Sequence, residues 1–355
     1  MISSKLIKDA AIAAGADMCG ISPMSRFSGA PDEMNPQFLF PEAKSCIGFV
    51  FRIPRGVQRG IEEGTQFFQY PSMAYGGINE IFAPAVLYQV GKVIEDEGYE
   101  AFVYRNTGAR GVVSDMDGSY GNTISPEEEI EEEPTAHHRS VQFTRPTREG
   151  NVAPDLQFQF RIAAVACGLG EIGWSKMLLT PEFGPLQRVA FIFTDAEFDE
   201  YDEMYNKEPL CRKCGACVRE CPGGCIPEIG SEKKITVNLD GIILEWGDID
   251  MWRCYAFYTH AGRFYNPFVP KEVWDENENG TLDLMEGISD KANETTVAEI
   301  YLALSKYFPS WVGYNMAKCG GCIRGCVSVL EKKGGCMEGR FNEPLRKGKA
   351  WRMDR

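Results

Sequence analysis

The sequence predicts a protein of two parts, in which a layered domain of mixed helix and strand precedes a smaller, cysteine-rich domain. Three observations support this prediction. The chain has 355 residues, which exceeds one typical domain. Helical and strand patterns alternate over about the first two hundred residues, which favours an α/β or α+β arrangement of layers. Most of the 13 cysteines follow, in two short runs and the segments around them.

Apolar spacing and capping residues predict the elements of the first part. Residues 4–14 predict a helix, because Ser3 or Ser4 can cap its start and Gly15 can end it. The apolar run SCIGFVFRI, residues 45–53, predicts a buried strand. Residues 81–99 predict a long helix with a glycine stop, and EAFVYRN after it predicts another strand.

Residues 109–150 break this pattern. They contain an acidic block, Glu127 to Glu133, between two prolines, and few apolar residues that could pack. We interpret the segment as an exposed acidic insertion, with His137 and His138 at the surface. Order returns over 158–198, which predicts a helix, a glycine-rich turn, an apolar segment and a strand after Pro185.

The predicted domains are residues 1–205, with the insertion 109–150, and residues 206–345, followed by a basic tail, 346–355. The chain has a net charge of -14, so its field repels phosphate backbones and nucleic acid is not the expected partner. We interpret the basic tail as a solvated end. The amino terminus lacks an export-signal pattern, and no segment has the roughly 20 apolar residues of a membrane span. We therefore expect a soluble cytoplasmic protein whose cysteines hold metal rather than disulfides.

The first cysteine run is CRKCGACVRECP, and its four cysteines have the spacing CxxCxxCxxxCP. Such a run gives three thiolates to one 4Fe-4S cluster and the fourth, before proline, to a second cluster. The run therefore predicts two clusters. A zinc site formed by the CxxC pairs is the alternative interpretation, although zinc sites do not usually need the full CxxCxxCxxxCP run with its proline.

The second run, CGGCIRGC, supplies Cys319, Cys322 and Cys326. Because each fourth cysteine crosses to the other cluster, the first site has three ligands from the first run plus one from the second. The second site is then one thiolate short. We choose Cys254, in the aromatic stretch DMWRCYAFYTH, and keep Cys225 and Cys336 as rivals. The predicted ligands are Cys211, Cys214, Cys217 and Cys326 for cluster 1, and Cys221, Cys254, Cys319 and Cys322 for cluster 2.

The segment DENENGTLDLME, residues 275–286, matches the twelve-residue calcium loop position by position. Gly280 would make its sharp turn. The candidate ligands are Asp275, Asn277, Asn279, the Thr281 carbonyl, Asp283 and Glu286. An acidic surface loop is the alternative, because such loops usually occur in pairs and this one is single.

The segments FRIAAVACGLGEIGWSKMLLTPEFGPLQR, CRKCGACVRECP and CGGCIRGC together resemble the corrinoid iron–sulfur reductases. This family comprises reductive dehalogenases and epoxyqueuosine reductases, and the first segment looks closer to the dehalogenases. The resemblance implies an α+β fold, with a nitroreductase-like domain that binds cobalamin base-off and a bacterial-ferredoxin-like domain with two 4Fe-4S clusters. It also implies a low-potential electron donor, such as ferredoxin or flavodoxin, and a small-molecule substrate.

The resemblance also implies site residues. Tyr75 matches the position of a tyrosine proton donor, and Asn151, in NVAP, stands where epoxyqueuosine reductases have an acidic catalytic residue. The glycine turn should approach the corrin edge, and Arg188 is a further cofactor contact. The predicted cofactor-binding residues are Gly168, Leu169, Gly170, Glu171, Lys176 and Arg188.

Three functions compete on this sequence. The first is a cobalamin-dependent reductase that cleaves a carbon–halogen bond, or another carbon–heteroatom bond, of a small molecule. The second is a tRNA-modifying epoxyqueuosine reductase, which the acidic charge and the Asn151 substitution disfavour. The third is a non-catalytic electron carrier that binds no corrinoid. The first is the predicted function.

Overall fold

The computed structural model describes residues 1–65, 69–105, 112–113, 141–142, 158–260 and 320–346 of the chain. Several sequence predictions fall outside these residues and stay predictions. They concern most of the acidic insertion, Asn151, the candidate calcium loop 275–286, Cys319 and the tail beyond Arg346.

Helices and strands alternate through the first part, as the sequence predicts. The α-helices are α1 (Ser4–Ala14), α2 (Arg59–Glu63), α3 (Ala83–Asp96), α4 (Phe160–Ala166), α5 (Ala216–Arg219), α6 (Met251–His260) and α7 (Gly321–Leu330). A π-helix spans Tyr70–Phe82, and short 3-10 helices span Met24–Gly29, Asp32–Met34, Pro36–Phe38 and Arg55–Gln58.

The described strands form one larger sheet and three two-stranded ladders. The strands are β1 (Met18–Pro23), β2 (Ser45–Arg52), β3 (Ala101–Tyr104), β4 (Val112–Val113), β5 (Val141–Gln142), β6 (Glu171–Ile172), β7 (Leu178–Leu179), β8 (Gln187–Thr194), β9 (Lys234–Leu239) and β10 (Ile242–Gly247). The larger sheet has the order β1-β2-β8-β3, and every neighbouring pair in it is antiparallel. An antiparallel sheet with helices on both faces confirms the mixed α+β class.

The central strands β2 and β8 are apolar on both faces because helices cover both sides of the sheet. Side chains alternate between two cores with the two-residue period of a strand. Ile47 of β2 lies opposite Ile192 of β8 and belongs to the core under α1 and α3. Cys46 and Phe193, one residue along, belong to the core under α4. A continuous apolar run is the pattern of a strand buried on both faces.

Helix α1 has the bounds that the sequence predicts. It follows Ser3 and ends at Gly15, which has a φ of 114° and lies in the left-handed region. The helix predicted at 81–99 begins earlier, because the π-helix Tyr70–Phe82 runs directly into α3. A π-helix inserts extra residues into a helical turn, so apolar periodicity does not reveal it.

The cysteine-rich part packs directly on the first part. Ile323, Val327 and Leu330 of α7 join the core that α1 and α3 share. The hairpin of β9 and β10 turns at Asp240 and Gly241, which both have positive φ, as a two-residue turn requires. Arg346, expected in a solvated tail, is half-buried and bonds to Glu220 and Glu62. This ion pairing corrects the tail prediction at its first residue.

Candidate functional site

Helices α5 and α7 start alike. Gly215 precedes α5 and Gly320 precedes α7, and both residues have positive φ, at 72° and 53°. Each glycine stands two positions ahead of a cysteine, in CGAC and CGGC. A left-handed residue at this point favours glycine, which has no Cβ to clash. The two cysteine runs therefore share a local backbone conformation as well as a spacing.

Glycines on α7 bring the two helices close together. A Cβ on Gly321 would lie 2.2 Å from the carbonyl oxygen of Glu220, at the end of α5. A Cβ on Gly325 would lie 2.7 Å from the Glu220 side chain. The faces that carry the cysteines can meet because these two positions have no side chain. Cys322 and Cys326 lie four residues apart, so they share one face of α7.

Four thiols line one cavity between the helices, and they are the predicted ligands of cluster 1. Cys211, Cys214, Cys217 and Cys326 lie in its wall, beneath Trp174. Burial, then the neighbouring thiols of Cys211 and Cys214, raise the pKa of Cys217 to about 11. Burial and the same set of thiols also raise the pKa of Cys326. These directions show that four groups which prefer not to ionise together are held around one space.

The first domain contributes the lid of this cavity. The Trp174 backbone N–H donates to the Cys211 sulfur at 3.4 Å, and a Cβ on Gly173 would come within 3.5 Å of that sulfur. The Trp174 indole donates to the Pro227 carbonyl at 2.8 Å. Glu171 accepts a hydrogen bond from the Cys211 backbone N–H. The GEIGW stretch is therefore one contact between the first part of the chain and the cysteines.

A second group of thiols gathers around Cys225. The Cys225 backbone N–H donates to the Cys221 sulfur at 3.3 Å, and its thiol hydrogen-bonds to the sulfurs of Cys221 and Cys254. Cys322 packs in a small apolar cluster that contains Cys221 together with Cys211 and Cys217 of the first group. The structure thus brings Cys254 to Cys221, as predicted from the sequence, and places the rival Cys225 between them. Cys319 lies outside the described residues.

Protons in this group are distributed unevenly. The hydrogen bond from Cys225 lowers the pKa of Cys221 to about 6. The hydrogen bond from Cys225 also lowers the pKa of Cys254, whereas the pKa of Cys225 itself is raised. Cys225 thus holds its proton as a donor, and its two neighbours favour the thiolate. The thiolate is the metal-binding form of cysteine, so the donor position of Cys225 is compatible with Cys221 and Cys254 as ligands.

The thiol groups differ from a site for a single ion. In the part of the chain that the structure describes, no three histidine, cysteine or carboxylate side chains converge closely enough to hold one metal ion. A lone zinc draws its sulfurs to about 2.3 Å from the metal. Cysteines spread around a cavity instead fit a larger inorganic group, whose corners lie apart. Cys336, the remaining rival, interacts with Cys326 of the first group.

Helix α6 connects the second thiol group to the predicted catalytic tyrosine. Tyr258 lies four residues after Cys254, and therefore on the same face of α6. Tyr258 is close enough to Arg188 on β8 to raise the pKa of that guanidinium, against the effect of burial and together with Tyr70 and Tyr75. Two tyrosines of the π-helix and one of α6 thus lie near one arginine, and Tyr258 is one helical turn from a thiol of the second group.

Arg188 lies against Tyr75. Its guanidinium carbon is 4.7 Å from the centre of the Tyr75 ring and 5.8 Å from that of Tyr70. The arginine is fixed by hydrogen bonds from Nε to the Ala74 carbonyl at 2.9 Å and from Nη2 to the Tyr70 hydroxyl at 3.2 Å. The sequence predicted Arg188 and Tyr75 separately. Their direct contact depends on the π-helix, which no sequence pattern revealed.

The glycines of the turn at residues 168–170 allow close packing inside the protein. A Cβ on Gly168 would lie 2.4 Å from the Glu203 carbonyl oxygen, and one on Gly170 would lie 2.0 Å from that of Leu179. Leu169 between them is buried in the core. These glycines allow neighbouring segments to pack closely, and their predicted contact with a corrin edge stays a prediction. Lys176, on the same segment, is near enough to Cys254 to be influenced by it, although burial lowers the pKa of Lys176.

Sequence reasoning missed several of these residues. Trp174 lies within the segment GLGEIGWSK, but the sequence assigned no role to it, nor to Tyr70 and Tyr258. Aromatic residues one turn from a predicted ligand or proton donor were the available signal. None of the helices in the described part of the chain is long and apolar enough to span a membrane.

The chain is similar to curated reductive dehalogenases. It is 27% identical over 158 residues to the tetrachloroethene reductive dehalogenase of Desulfitobacterium hafniense strain Y51, which covers 43% of this chain and 27% of the relative. It is 28% identical over 120 residues to that of Sulfurospirillum multivorans, with 31% and 24% covered. These comparisons confirm the resemblance to the corrinoid iron–sulfur reductases. The chain spans about a quarter of the length of the curated reductive dehalogenases that it matches.

Solved structures of both branches of the family are also similar, at low identity. A catabolic reductive dehalogenase matches with a TM-score of 0.45 and 16% identity, over 85% of this chain and 36% of that one. An epoxyqueuosine reductase with a modified tRNA stem loop matches with a TM-score of 0.43 and 14% identity, over 91% and 79%. No family model matches the chain.

Proposed function

We propose that this protein is a reductase of the reductive dehalogenase type that uses a corrinoid and two 4Fe-4S clusters. It would cleave a carbon–halogen bond, or another carbon–heteroatom bond, of a small molecule. The main support for the proposal is the series of contacts that runs from the thiols to Tyr75. Two neighbouring groups of cysteines lie on and around α5 and α7, and α6 leads from Cys254 of the second group to the tyrosines near Arg188.

The cysteines fit two iron–sulfur clusters by donor chemistry. Cys211, Cys214, Cys217 and Cys326 would hold cluster 1, in the cavity that they line. Cys221, Cys254, Cys319 and Cys322 would hold cluster 2, with Cys225 as a hydrogen-bond donor to its sulfurs. The Trp174 N–H that points at Cys211 supports the first assignment, since hydrogen bonds to cluster sulfurs tune the reduction potential. The low pKa of Cys221 supports the second.

Buried amides near Tyr75 fit a cofactor whose edge carries amide groups, as that of a corrinoid does. Within the described residues, Gln187, Asn79 and Gln58 each have a buried amide atom without a hydrogen-bond partner. Asn79 follows Tyr75 on the π-helix, whereas the Gln187 amide donates to the Leu178 carbonyl on the opposite face of β8 from Arg188. Buried polar atoms without partners are rare in folded proteins, so a missing ligand is a physical explanation for Asn79 and Gln58. With Arg188 and Lys176, these two residues are the candidates for holding the corrinoid.

The overall reaction would consume two electrons and one proton, and would release halide while a C–H bond replaces the C–X bond. The bound corrinoid would supply the strongly reducing metal centre, and the clusters would supply electrons one at a time. This chain must then supply the proton and the shape of the site. Tyr75 is the proposed proton donor, and the proton leaves its hydroxyl oxygen.

Arg188 makes Tyr75 a better acid in this scheme. Proton donation leaves a phenolate, and the guanidinium 4.7 Å from the ring stabilises that negative charge. Arg188 cannot itself give up a proton near neutral pH, so it acts by charge alone. Its hydrogen bonds to the Ala74 carbonyl and the Tyr70 hydroxyl hold it in place for this task.

Anaerobic reconstitution of the full chain with iron, sulfide and hydroxocobalamin tests the proposal. We expect about eight iron atoms, from two four-iron cubes, and one cobalt per chain after removal of excess reagents. Iron uptake without cobalt would support a non-catalytic electron carrier and contradict our proposal. Uptake of zinc in place of iron would contradict both.

A substrate panel separates the two branches of the family. The reconstituted protein, reduced with titanium(III) citrate, is incubated with halogenated phenols, halogenated alkenes and an epoxyqueuosine-containing stem loop. Halide release from a small molecule is the expected result. Reduction of the stem loop alone would assign the protein to tRNA modification instead.

A further inference from the structure

The surface around Cys214 combines an exposed cysteine with a cluster of positive charge. Cys214 is exposed, whereas the other cysteines in the described part of the chain are buried or half-buried. Resting on the proposed function, we propose that this surface is the docking site of a small acidic ferredoxin that delivers electrons to cluster 1.

Basic side chains surround Cys214. Lys213 precedes it, Arg212 precedes Lys213, and the Arg219 guanidinium donates to the Cys214 carbonyl at 3.2 Å. Arg212 also reaches the loop at Gly334, which follows two exposed lysines. Lys234 joins from β9, through a carboxylate that it shares with Lys213. The basic patch is defined as Arg212, Lys213, Arg219, Lys234, Lys332 and Lys333, all of them exposed.

Few carboxylates neutralise this patch. Glu245 bonds to both Lys213 and Lys234 at 2.8 Å, and Glu338 accepts from the Gly334 backbone N–H. Glu232 also lies near Lys234, so six cations against these three carboxylates leave three positive charges on the patch. The whole chain carries a net charge of -14, so the patch has the opposite sign to the protein's overall field.

This contrast favours an acidic partner in one orientation. A negatively charged carrier is repelled by most of this surface and attracted only where the local charge is positive. Such a pattern steers diffusional encounter and fixes the docking face, and it can raise association rates by roughly tenfold to a thousandfold. Encounters between electron-transfer proteins need only a small interface, below about 1,200 Å².

The position of Cys214 also gives the direction of electron flow. The second thiol group includes Cys254 on α6, one turn from Tyr258, which lies near Arg188, whereas exposed Cys214 belongs to the first group. An electron that enters at cluster 1 therefore passes cluster 2 before it reaches the catalytic residues. In each encounter the ferredoxin iron–sulfur centre would be oxidised by one electron and cluster 1 reduced by one. Two encounters would supply one turnover.

Charge neutralisation of the patch tests the proposal. The patch variant is the reconstituted full chain with Lys213→Gln, Arg219→Gln and Lys234→Gln. The control variant removes three cations elsewhere, with Lys5→Gln, Lys92→Gln and Lys44→Gln, and so has the same net charge. Both are compared with the parent for iron content, for reduction by titanium(III) citrate, for the rate of reduction by a reduced bacterial ferredoxin, and for the dissociation constant of the oxidised ferredoxin.

We expect the patch variant alone to lose about tenfold or more in ferredoxin-driven reduction and in ferredoxin affinity at low ionic strength, with normal iron and normal reduction by titanium(III) citrate. The difference should shrink as salt shortens the Debye length from about 10 Å at 0.1 M to 3 Å at 1 M. Equal losses in both variants, or none in either, would overturn the docking site while leaving the proposed function intact. A parent protein without iron would overturn both.

Discussion

The second thiol group allows a sharp prediction, because Cys225 contacts the sulfurs of both Cys221 and Cys254. We assign Cys254 as the ligand of cluster 2 and Cys225 as a hydrogen-bond donor. Cys254→Ala should therefore lower the iron content from about eight to about four atoms per chain. Cys225→Ala should keep about eight, because no iron–sulfur bond is removed.

The size of the remaining effect of Cys225→Ala follows from the contacts that it loses. The backbone N–H at residue 225 still donates to Cys221 at 3.3 Å, so only the thiol donor disappears. A hydrogen bond to a charged group is worth about 1.5–3 kcal/mol, and a thiol is a weak donor, which places this bond at the lower end. Only part of that energy depends on the redox state of the cluster. A shift of about 1.4 kcal/mol corresponds to about 59 mV for one electron. The potential of cluster 2 should therefore fall by less than about 60 mV.

The fall is towards more negative potential, because the lost donor stabilises the reduced, more negative cluster. Iron and acid-labile sulfide determination gives the cluster count, and a potentiometric titration followed by electron paramagnetic resonance gives the shift. The double variant Cys225→Ala/Cys254→Ala controls for Cys225 taking the place of its neighbour. Loss of four irons from Cys225→Ala with eight kept in Cys254→Ala would refute the assignment. Eight irons in each single variant, with four in the double variant, would show interchangeable ligands and would also contradict it.

Three further predictions concern the proton donor, the helix contact and acid stability. Tyr75→Phe should lower kcat by about a hundredfold with unchanged iron and cobalt content. Arg188→Gln should lower kcat by about tenfold in the parent but hardly at all in the Tyr75→Phe variant. If the two losses instead multiply in the double variant, the arginine does not act through the tyrosine. Gly321→Ala should destabilise the fold by about 1–3 kcal/mol and reduce iron uptake at both sites, because its Cβ would lie 2.2 Å from a backbone oxygen. Gly56→Ala is the control, since the space around Gly56 is open, and it should unfold at the same urea concentration as the parent. The hydrogen bond from Arg346 lowers the pKa of Glu220, so this pair stabilises the fold above the ordinary glutamate pKa of about 4.3 and loses that effect as pH falls towards the lowered value. The variant Glu220→Gln should therefore be less stable than the parent by about 1 kcal/mol at pH 7 and equally stable at low pH. A stability difference that stays constant across pH would contradict this origin.

Where a local rule dictates the structure, the sequence was sufficient. Ser3 and Gly15 mark the two ends of helix α1 in the sequence; Gly15 is the left-handed terminator, although the Ser3 side chain makes no capping hydrogen bond and Asp199 accepts from the Ser4 N–H instead. Strand β2 needs an unbroken apolar run, which SCIGFVFR provides. The cysteine runs also follow a local rule, because an iron–sulfur cluster requires thiols at short fixed separations along the chain. Spacing alone identified the residues that line the first cavity.

Features set by distant contacts could not be predicted in this way. The π-helix Tyr70–Phe82 leaves no periodic signal, so its contact with Arg188 on β8 was not foreseen. Cys225 was considered only as a rival ligand, because spacing cannot show that a residue donates to two neighbouring sulfurs. The hairpin of β9 and β10 is different. Its turn residues Asp240 and Gly241, between apolar runs, are a strong hairpin signal that the sequence analysis did not use.

The arrangement of α7 explains why the two thiol groups must form together. Cys326 faces the first group and Cys322 the second, one turn apart on a helix whose Ile323, Val327 and Leu330 enter the main core. A movement of α7 that changes one thiol group also moves the cysteine of the other group. The packing of α7 against the first part of the chain therefore sets the geometry of both groups. The Trp174 N–H that reaches Cys211 adds a second connection from that domain. The proposed sites of electron entry, electron transfer and proton supply therefore share one continuous core, and a variant that loosens α7 should impair both proposed clusters at once.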